Sequence, residues 1–241
     1  MRKLILPLTE RRGVAAGTMS FLFDLRDQDF TFRPGQYVRV TLSNPPYEDG
    51  EGNSRSFSIA SSPGDSFLLI ATRMRGSAFK RSLAEVPLGT PVAFNGPLGS
   101  FTPPQEAGTP LVLIAGGIGV TPFRSMIKHV TEQKLPHRLT LIYSNRTPQD
   151  APFLEELSTW GRENPNLRFI PTMTNPEAAT EGWRGRTGYV DVAFILDALP
   201  DLNETAFFLA GPPGMVEGIT QALIQAGVAE DRIRSEEFTG Y

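Results

Sequence analysis

Up to about Thr109 the apolar residues come in short runs that alternate with polar ones: "KLILPLT", "MSFLFDL", "QYVRVTL", "RSFSIAS", "SFLLIATRM" and "PVAFNG". Gly, Pro, Asp and Asn clusters bound each run. Alternation of this length predicts half-buried strands, and six of them separated by turn residues predict a six-stranded antiparallel β-barrel. One segment breaks the rhythm. "SAFKRSLAEV" gathers Ala78, Phe79, Leu83 and Val86 on one face of a predicted helix.

From Leu111 the pattern becomes apolar run, turn, amphipathic helix, and repeats. "LVLIA" precedes "TPFRSMIKHVTEQ", "RLTLIYS" precedes "APFLEELSTWG", "LRFIPTM" and "VDVAFILDAL" follow, and "AFFLA" leads into "PGMVEGITQALIQAG". Strands alternating with helices predict a doubly wound parallel sheet. The Pro/Gly-rich "PPQEAGTP" separates the two patterns, which sets expected domains at 1–104 and 110–241. The fold class is therefore β followed by α/β.

Composition narrows the chemistry. A chain of 241 residues with 40% hydrophobic and 20% charged positions suits two modest globular cores, and no apolar run approaches the ~20 residues of a membrane helix. The opening "MRKLILPLTERR" reads as a first strand rather than a signal peptide, and the default expectation is the cytoplasm. Zero cysteines exclude a disulfide framework, a thiolate zinc site and a cysteine-ligated iron–sulfur cluster within these residues. A formal net charge of −3 with no basic block argues against nucleic acid as the main partner.

Two glycine turns carry candidate chemistry. "GGIGVTP" lies between a buried strand and a helix, where glycines let backbone approach a ligand and free amides attract phosphate. Thr121 is the expected N-cap and Pro122 the first helical residue. Pro122 stands where the usual G-x-G-x-x-G fingerprint has its third glycine, and "YSNR" lacks the expected acidic residue, so a pyrophosphate is expected in a non-standard mode. The second turn, "AGPPGM", forces the chain away from the carboxyl end of the last strand, where open α/β sheets bind ligands. In the first half, "RSFSIASSP" reads from its residues alone as a half-buried strand with Arg55 an edge charge, or as a ligand-facing strand.

Taken together and in order, "RSFSIASSP", "GPLGSF", "GGIGVTP", "FFLAGPPGM" and the terminal Glu-Glu-Phe resemble the ferredoxin–NADP reductase family of flavoproteins over nearly the whole chain. The resemblance implies an FAD-holding barrel followed by a domain binding NADPH or NADH. It implies that Arg55 pairs with the flavin pyrophosphate, that Phe57 lies against the flavin where tyrosine is usual, and that Ser58 reaches the reactive edge of the ring. Ser56 shares that strand, and Ile59, Ala60 and Ser61 would line the flavin with backbone groups. Gly76, Ser77, Ala78, Phe79 and Lys80 would form a second phosphate contact, with Lys80 standing where a serine is expected. Glu237 matches an acid beside the flavin, and Phe238 or Tyr241 would cover the ring.

On the nucleotide side the resemblance implies that Gly117, Gly119 and Thr121 hold the pyrophosphate and that Gly211, Pro212 and Met215 flank the nicotinamide. Ala210 replaces a common cysteine there. Ser144, Asn145 and Arg146 end the second parallel strand, and Arg184 and Arg186 should share their pocket, a set that tips the choice toward NADPH. The implied function is an FAD-dependent NAD(P)H oxidoreductase exchanging electrons with a separate carrier such as ferredoxin or flavodoxin. The alternatives are a ferric-siderophore or free-flavin reductase, or a non-catalytic flavin-bearing subunit of a larger complex. No metal site is expected: His129 and His137 read as solvent-facing, Trp160 and Trp183 as packing residues, and Glu155 to Leu157 as a solvated helix face.

Overall fold

The computed structural model describes residues 2–26, 28–104, 108–175, 183–199 and 202–239. Six strands, β1 (Arg2–Ala15), β2 (Thr18–Asp24), β3 (Tyr37–Thr41), β4 (Ser54–Ser58), β5 (Phe67–Arg73) and β6 (Pro91–Leu98), form one antiparallel sheet in the order β4-β3-β6-β1-β2-β5. The edges meet: Ala60 N–H donates to Leu69 O at 2.8 Å and Leu69 N–H to Ser61 Oγ at 3.1 Å, which closes the sheet into a barrel. Alternation does what the sequence pattern requires. Leu4, Leu6 and Leu8 point inward from β1 and meet Phe21, Phe23 and Phe94, the last two rings edge to face at 4.7 Å. Helix α1 (Ala78–Glu85) plugs one end with Phe79 and Leu83, both buried.

The second half builds β7 (Leu111–Gly116), α2 (Val120–Glu132), β8 (Leu139–Asn145), α3 (Leu154–Glu163), β9 (Leu167–Met173), β10 (Arg186–Thr187), α4 (Val192–Ala198), β11 (Ala206–Gly211), α5 (Pro213–Gln225) and β12 (Ile233–Glu237). All strand pairs are parallel, in the order β10-β9-β8-β7-β11-β12. Because β7 neighbours both β8 and β11, the strand order reverses beside it, and a crevice opens at the carboxyl ends Gly116 and Gly211. One face packs Phe123, Met126 and Leu157 of α2 and α3, the other Ile195, Ile219 and Leu223 of α4 and α5.

Three details depart from the sequence expectation. Helix α2 starts at Val120 after a tight 3-10 turn at Gly117–Gly119, so Gly119 holds the N-cap position and Thr121 lies inside the helix, its hydroxyl donating to Ile118 O at 3.0 Å. The cause is steric. A Cβ on Gly119 would lie 2.2 Å from Ala210 O, so the turn is pressed against β11 and the helix begins early. His137 is buried, its Nε2 3.2 Å from Pro104 O beside the interdomain segment, rather than solvent-facing. The tail forms β12 despite its polar sequence, registered with β11 from Phe207↔Ile233 to Gly211↔Glu237. No described helix is long and apolar enough to cross a membrane.

Candidate functional site

A cleft of about 940 Å³ opens between the barrel and the second half, lined by β4, the start of α1 and the tail after β12. Arg55, Ser56, Phe57 and Ser58 all line it. Phe57 stacks on Phe79 at 5.9 Å, and the Arg55 guanidinium sits 5.6 Å from the same ring, so the two residues share a face as strand alternation demands. Arg55 also clamps the loop before β4. It donates to the carbonyls of Glu51, Gly52 and Ser54 at 2.9 to 3.0 Å and to the Glu51 carboxylate at 2.8 Å, with Asp49 3.7 Å away.

At the α1 end of the cleft the donors outnumber their partners. Ser77 Oγ is buried without a hydrogen bond to any described residue. Lys80 is half-buried, and burial together with the neighbouring Arg55 and Arg75 pushes its pKa down. Gly76, Ser77, Lys80, Arg55 and Arg75 line this end of the cleft together, a cationic set that could hold a phosphate anion. Ala78 and Phe79 are not part of the lining: Ala78 N–H is taken by Asp49 Oδ2 at 2.8 Å, and Phe79 belongs to the core. Ile59, Ala60 and Ser61 are likewise drawn into the fold. Ile59 N–H bonds Gln36 O at 2.9 Å, and Ser61 O accepts from Ser125 Oγ at 2.6 Å.

At the opposite end, β12 delivers Glu236, Glu237, Phe238 and Thr239 to the cleft. Glu237, the acid expected from the sequence, is exposed, whereas Glu236 is half-buried and burial pushes its carboxyl up to about 7. Glu236 is thus the desolvated acid, one residue earlier; strand alternation along an unrecognised β12 would have distinguished them. Phe238 is anchored by its N–H to Gly211 O at 2.9 Å, and Tyr241 lies outside the described residues.

A second cavity of about 500 Å³ lies at the carboxyl ends of the parallel strands. It gathers Gly116 and Gly117, with Gly117 at φ +52°, the β8 end at Ser144, Asn145 and Arg146, and Pro212 and Met215 of the second turn. Asn145 is buried, and neither its Oδ1 nor its Nδ2 has a partner among the described residues. A neutral donor and acceptor held ready in this way fits the polar edge of a nucleotide. Gly119, Thr121 and Gly211 do not line this cavity; Gly119 and Gly211 let the two turns interlock, a Cβ on Gly211 falling 3.1 Å from Gly116 N. Arg186 is also elsewhere, paired with Asp197 and lying over Phe194 at 4.5 Å.

Among the lining residues that sequence reasoning did not single out are Tyr189 and Arg73. Tyr189 lines the pocket while 79% exposed, a large ring left in solvent after Gly188 at φ +102°. Arg73, at the end of β5 and 3.7 Å from Asp150, lines both cavities. It carries no local sequence signal, because only the docking of the halves brings it there. The Gly117–Gly119 turn also touches both, with Gly117 in the smaller cavity and Ile118 in the larger.

Comparison with known proteins matches residues 5–102 to the oxidoreductase FAD-binding domain and residues 113–221 to the oxidoreductase NAD-binding domain. The glycine betaine monooxygenase reductase subunit of Chromohalobacter salexigens is 29% identical over 212 residues, covering 87% of this chain and 56% of that protein. The toluate 1,2-dioxygenase electron transfer component of Pseudomonas putida is 32% identical over 209 residues, covering 86% and 59%. The chain thus spans little more than half the length of these curated relatives. Among solved structures, the reductase GcoB of Amycolatopsis superposes with a TM-score of 0.83 at 26% identity, covering 99% of this chain and 70% of that one.

Proposed function

The chain belongs to the ferredoxin–NADP reductase family of flavoproteins, an FAD-binding barrel joined to an NAD-binding α/β half, and from that premise we propose that it is an NAD(P)H-dependent reductase passing electrons to a separate carrier. The observation that carries this reading is the meeting of the two cavities at Arg73 and the Gly117–Gly119 turn. A donor and an acceptor seated in adjoining cavities gain the proximity that bimolecular hydride transfer lacks. FAD, when bound, supplies a two-electron acceptor that can release electrons singly.

The protein's own residues have separable tasks in this proposal. Arg55, Lys80, Arg75 and Ser77 hold the pyrophosphate, and Phe57 supplies an apolar wall with Ser56 and Ser58 beside it. Ser58 and Glu236 stand where a proton can be held, Glu236 because burial pushes its carboxyl up to about 7, so that it exchanges a proton near neutral pH. On the nucleotide side Gly117 gives backbone approach, Asn145 supplies the unpaired amide, and Pro212 and Met215 form an apolar flank. Arg146, exposed at the rim beside Ser144 and Thr174, favours the 2′-phosphate of NADPH over NADH. The relatives are named as reductase and electron transfer components of oxygenases, which supports an acceptor that is another protein, such as a ferredoxin or flavodoxin.

Acid release of the bound cofactor followed by chromatography should yield FAD, and steady-state kinetics with an artificial acceptor should show NADPH preferred over NADH. Arg146→Ala should raise the KM for NADPH about 5- to 10-fold while leaving NADH unchanged. Release of FMN alone, or of no flavin after reconstitution, removes the barrel assignment. Retained FAD without oxidation of either nucleotide indicates the non-catalytic subunit.

A further inference from the structure

Helix α2 opens one turn away from the nucleotide cavity, and the segment following β4 begins at the flavin cleft. Three side chains of α2 grip that segment in succession. The Arg124 guanidinium donates to Ala60 O, Ser125 Oγ donates to Ser61 O at 2.6 Å, and Lys128 pairs with Asp65, whose other oxygen accepts from Ser62 N–H at 2.8 Å. Arg124 is the most heavily fixed of them. It is 6% exposed, bidentate to Glu156 at 2.7 Å for each bond, and lies 4.8 Å from the Phe153 ring, whose residue holds φ +60°. Glu156 is therefore no solvated helix face; it aims the guanidinium across the seam.

The placement is what matters. Ala60 lies two residues after Ser58 of the flavin cleft, and Arg124 four residues after the N-terminus of a helix that starts directly from the turn lining both cavities. A rigid bond there sets the separation of the cavities more directly than contacts at the far ends of the domains. We propose that Arg124 is a positioning residue that fixes the distance between the flavin cleft and the nucleotide pocket by tying α2 to the Ala60 carbonyl. This rests on the reductase reading, since it assigns the two cavities to the reacting partners. A misplacement of about 1 Å between reactants costs roughly 100-fold in rate, while each cofactor keeps its own binding groups.

The test compares the native full chain with Arg124→Met, Arg124→Lys and Ser125→Ala. Without cofactor, amide exchange at 59–61 and 118–124 should quicken in Arg124→Met. With FAD bound, Kd for FAD and for NADPH should stay within about 3-fold, while the rate of flavin reduction at saturating NADPH falls about 100-fold and its deuterium isotope effect becomes fully expressed. Arg124→Lys, which keeps charge but cannot form all three bonds, should recover about 10-fold of the loss, and Ser125→Ala should lose about 3- to 10-fold. An unchanged saturating rate in Arg124→Met, or losses confined to the two Kd values, overturns the proposal. If Arg124→Met does not fold, an unchanged rate in Ser125→Ala overturns it. If the native chain binds no FAD, the reductase reading fails instead, and unaltered exchange at 59–61 in Arg124→Met still refutes the tie.

Discussion

The two cavities use different materials. On the barrel side the cavity is built of charge: Arg55, Arg75 and Lys80 converge beside a Ser77 hydroxyl that has no partner among the described residues, and acidic Asp49 and Glu51 brace the arrangement. In the α/β half it is made of backbone: Gly116, Gly117, Gly119 and Gly211 let two turns come within van der Waals contact, leaving a neutral amide and an apolar flank. A site built of side chains fails when a side chain is removed. One built of backbone fails when an atom is added.

Gly119→Ala should show the largest effect. Its Cβ would meet Ala210 O at 2.2 Å and Gly211 N at 2.7 Å, both main-chain atoms, so a loss of about 3 kcal/mol in a urea melt is expected. A native-like melt would mean the turns are not interlocked. Arg55→Ala should cost about 2–3 kcal/mol of FAD affinity, roughly 30- to 150-fold in Kd by fluorescence titration. Because Arg55 also holds Glu51, Gly52 and Ser54, limited proteolysis should find the loop at 49–53 newly susceptible.

Glu236 gives a pH signature. Its folded carboxyl stays protonated up to about 7, against an ordinary value of 4.5, so between those values the folded protein holds a proton that the unfolded chain releases. Stability of the cofactor-free protein should therefore decline as pH rises from 4.5 to about 7, by about 1–2 kcal/mol after allowance for partial exposure. Glu236→Gln should flatten that slope in denaturant titrations across the range. The smallest expected effect sits in the backbone-built pocket, where Asn145→Leu should stabilise the cofactor-free chain by about 1 kcal/mol by removing two unpaired polar atoms, while weakening nucleotide binding about 10-fold. Loss of stability there would show that the amide has a structural partner.

The same division explains what the sequence made legible. Alternation in "KLILPLT" and the continuous apolar run "LVLIA" dictated strands because each has a face to bury. The strand β12 escaped because "IRSEE" has almost nothing apolar; it is held by pairing along β11, a long-range bond that local pattern cannot express. Missing that strand also hid which of the two adjacent acids is the desolvated one, Glu236 rather than Glu237, although both line the cleft. Of the glycine turns, the sequence revealed the need for close approach, but only the structure shows that Gly119 lies against Ala210 of the neighbouring strand. Arg73 and Arg124 were illegible for another reason. Each acts across the seam between the halves, where neither half's periodicity carries information.

The pairing of the two cavities is tested most directly by anaerobic titration of the FAD-loaded protein with NADPH or NADH, following the flavin's visible absorbance. One equivalent of nucleotide per flavin should bleach it fully at the preferred nucleotide, and an added one-electron acceptor should restore the colour. Flavin that keeps its colour in excess of both nucleotides, yet is reduced at once by dithionite, would contradict the account.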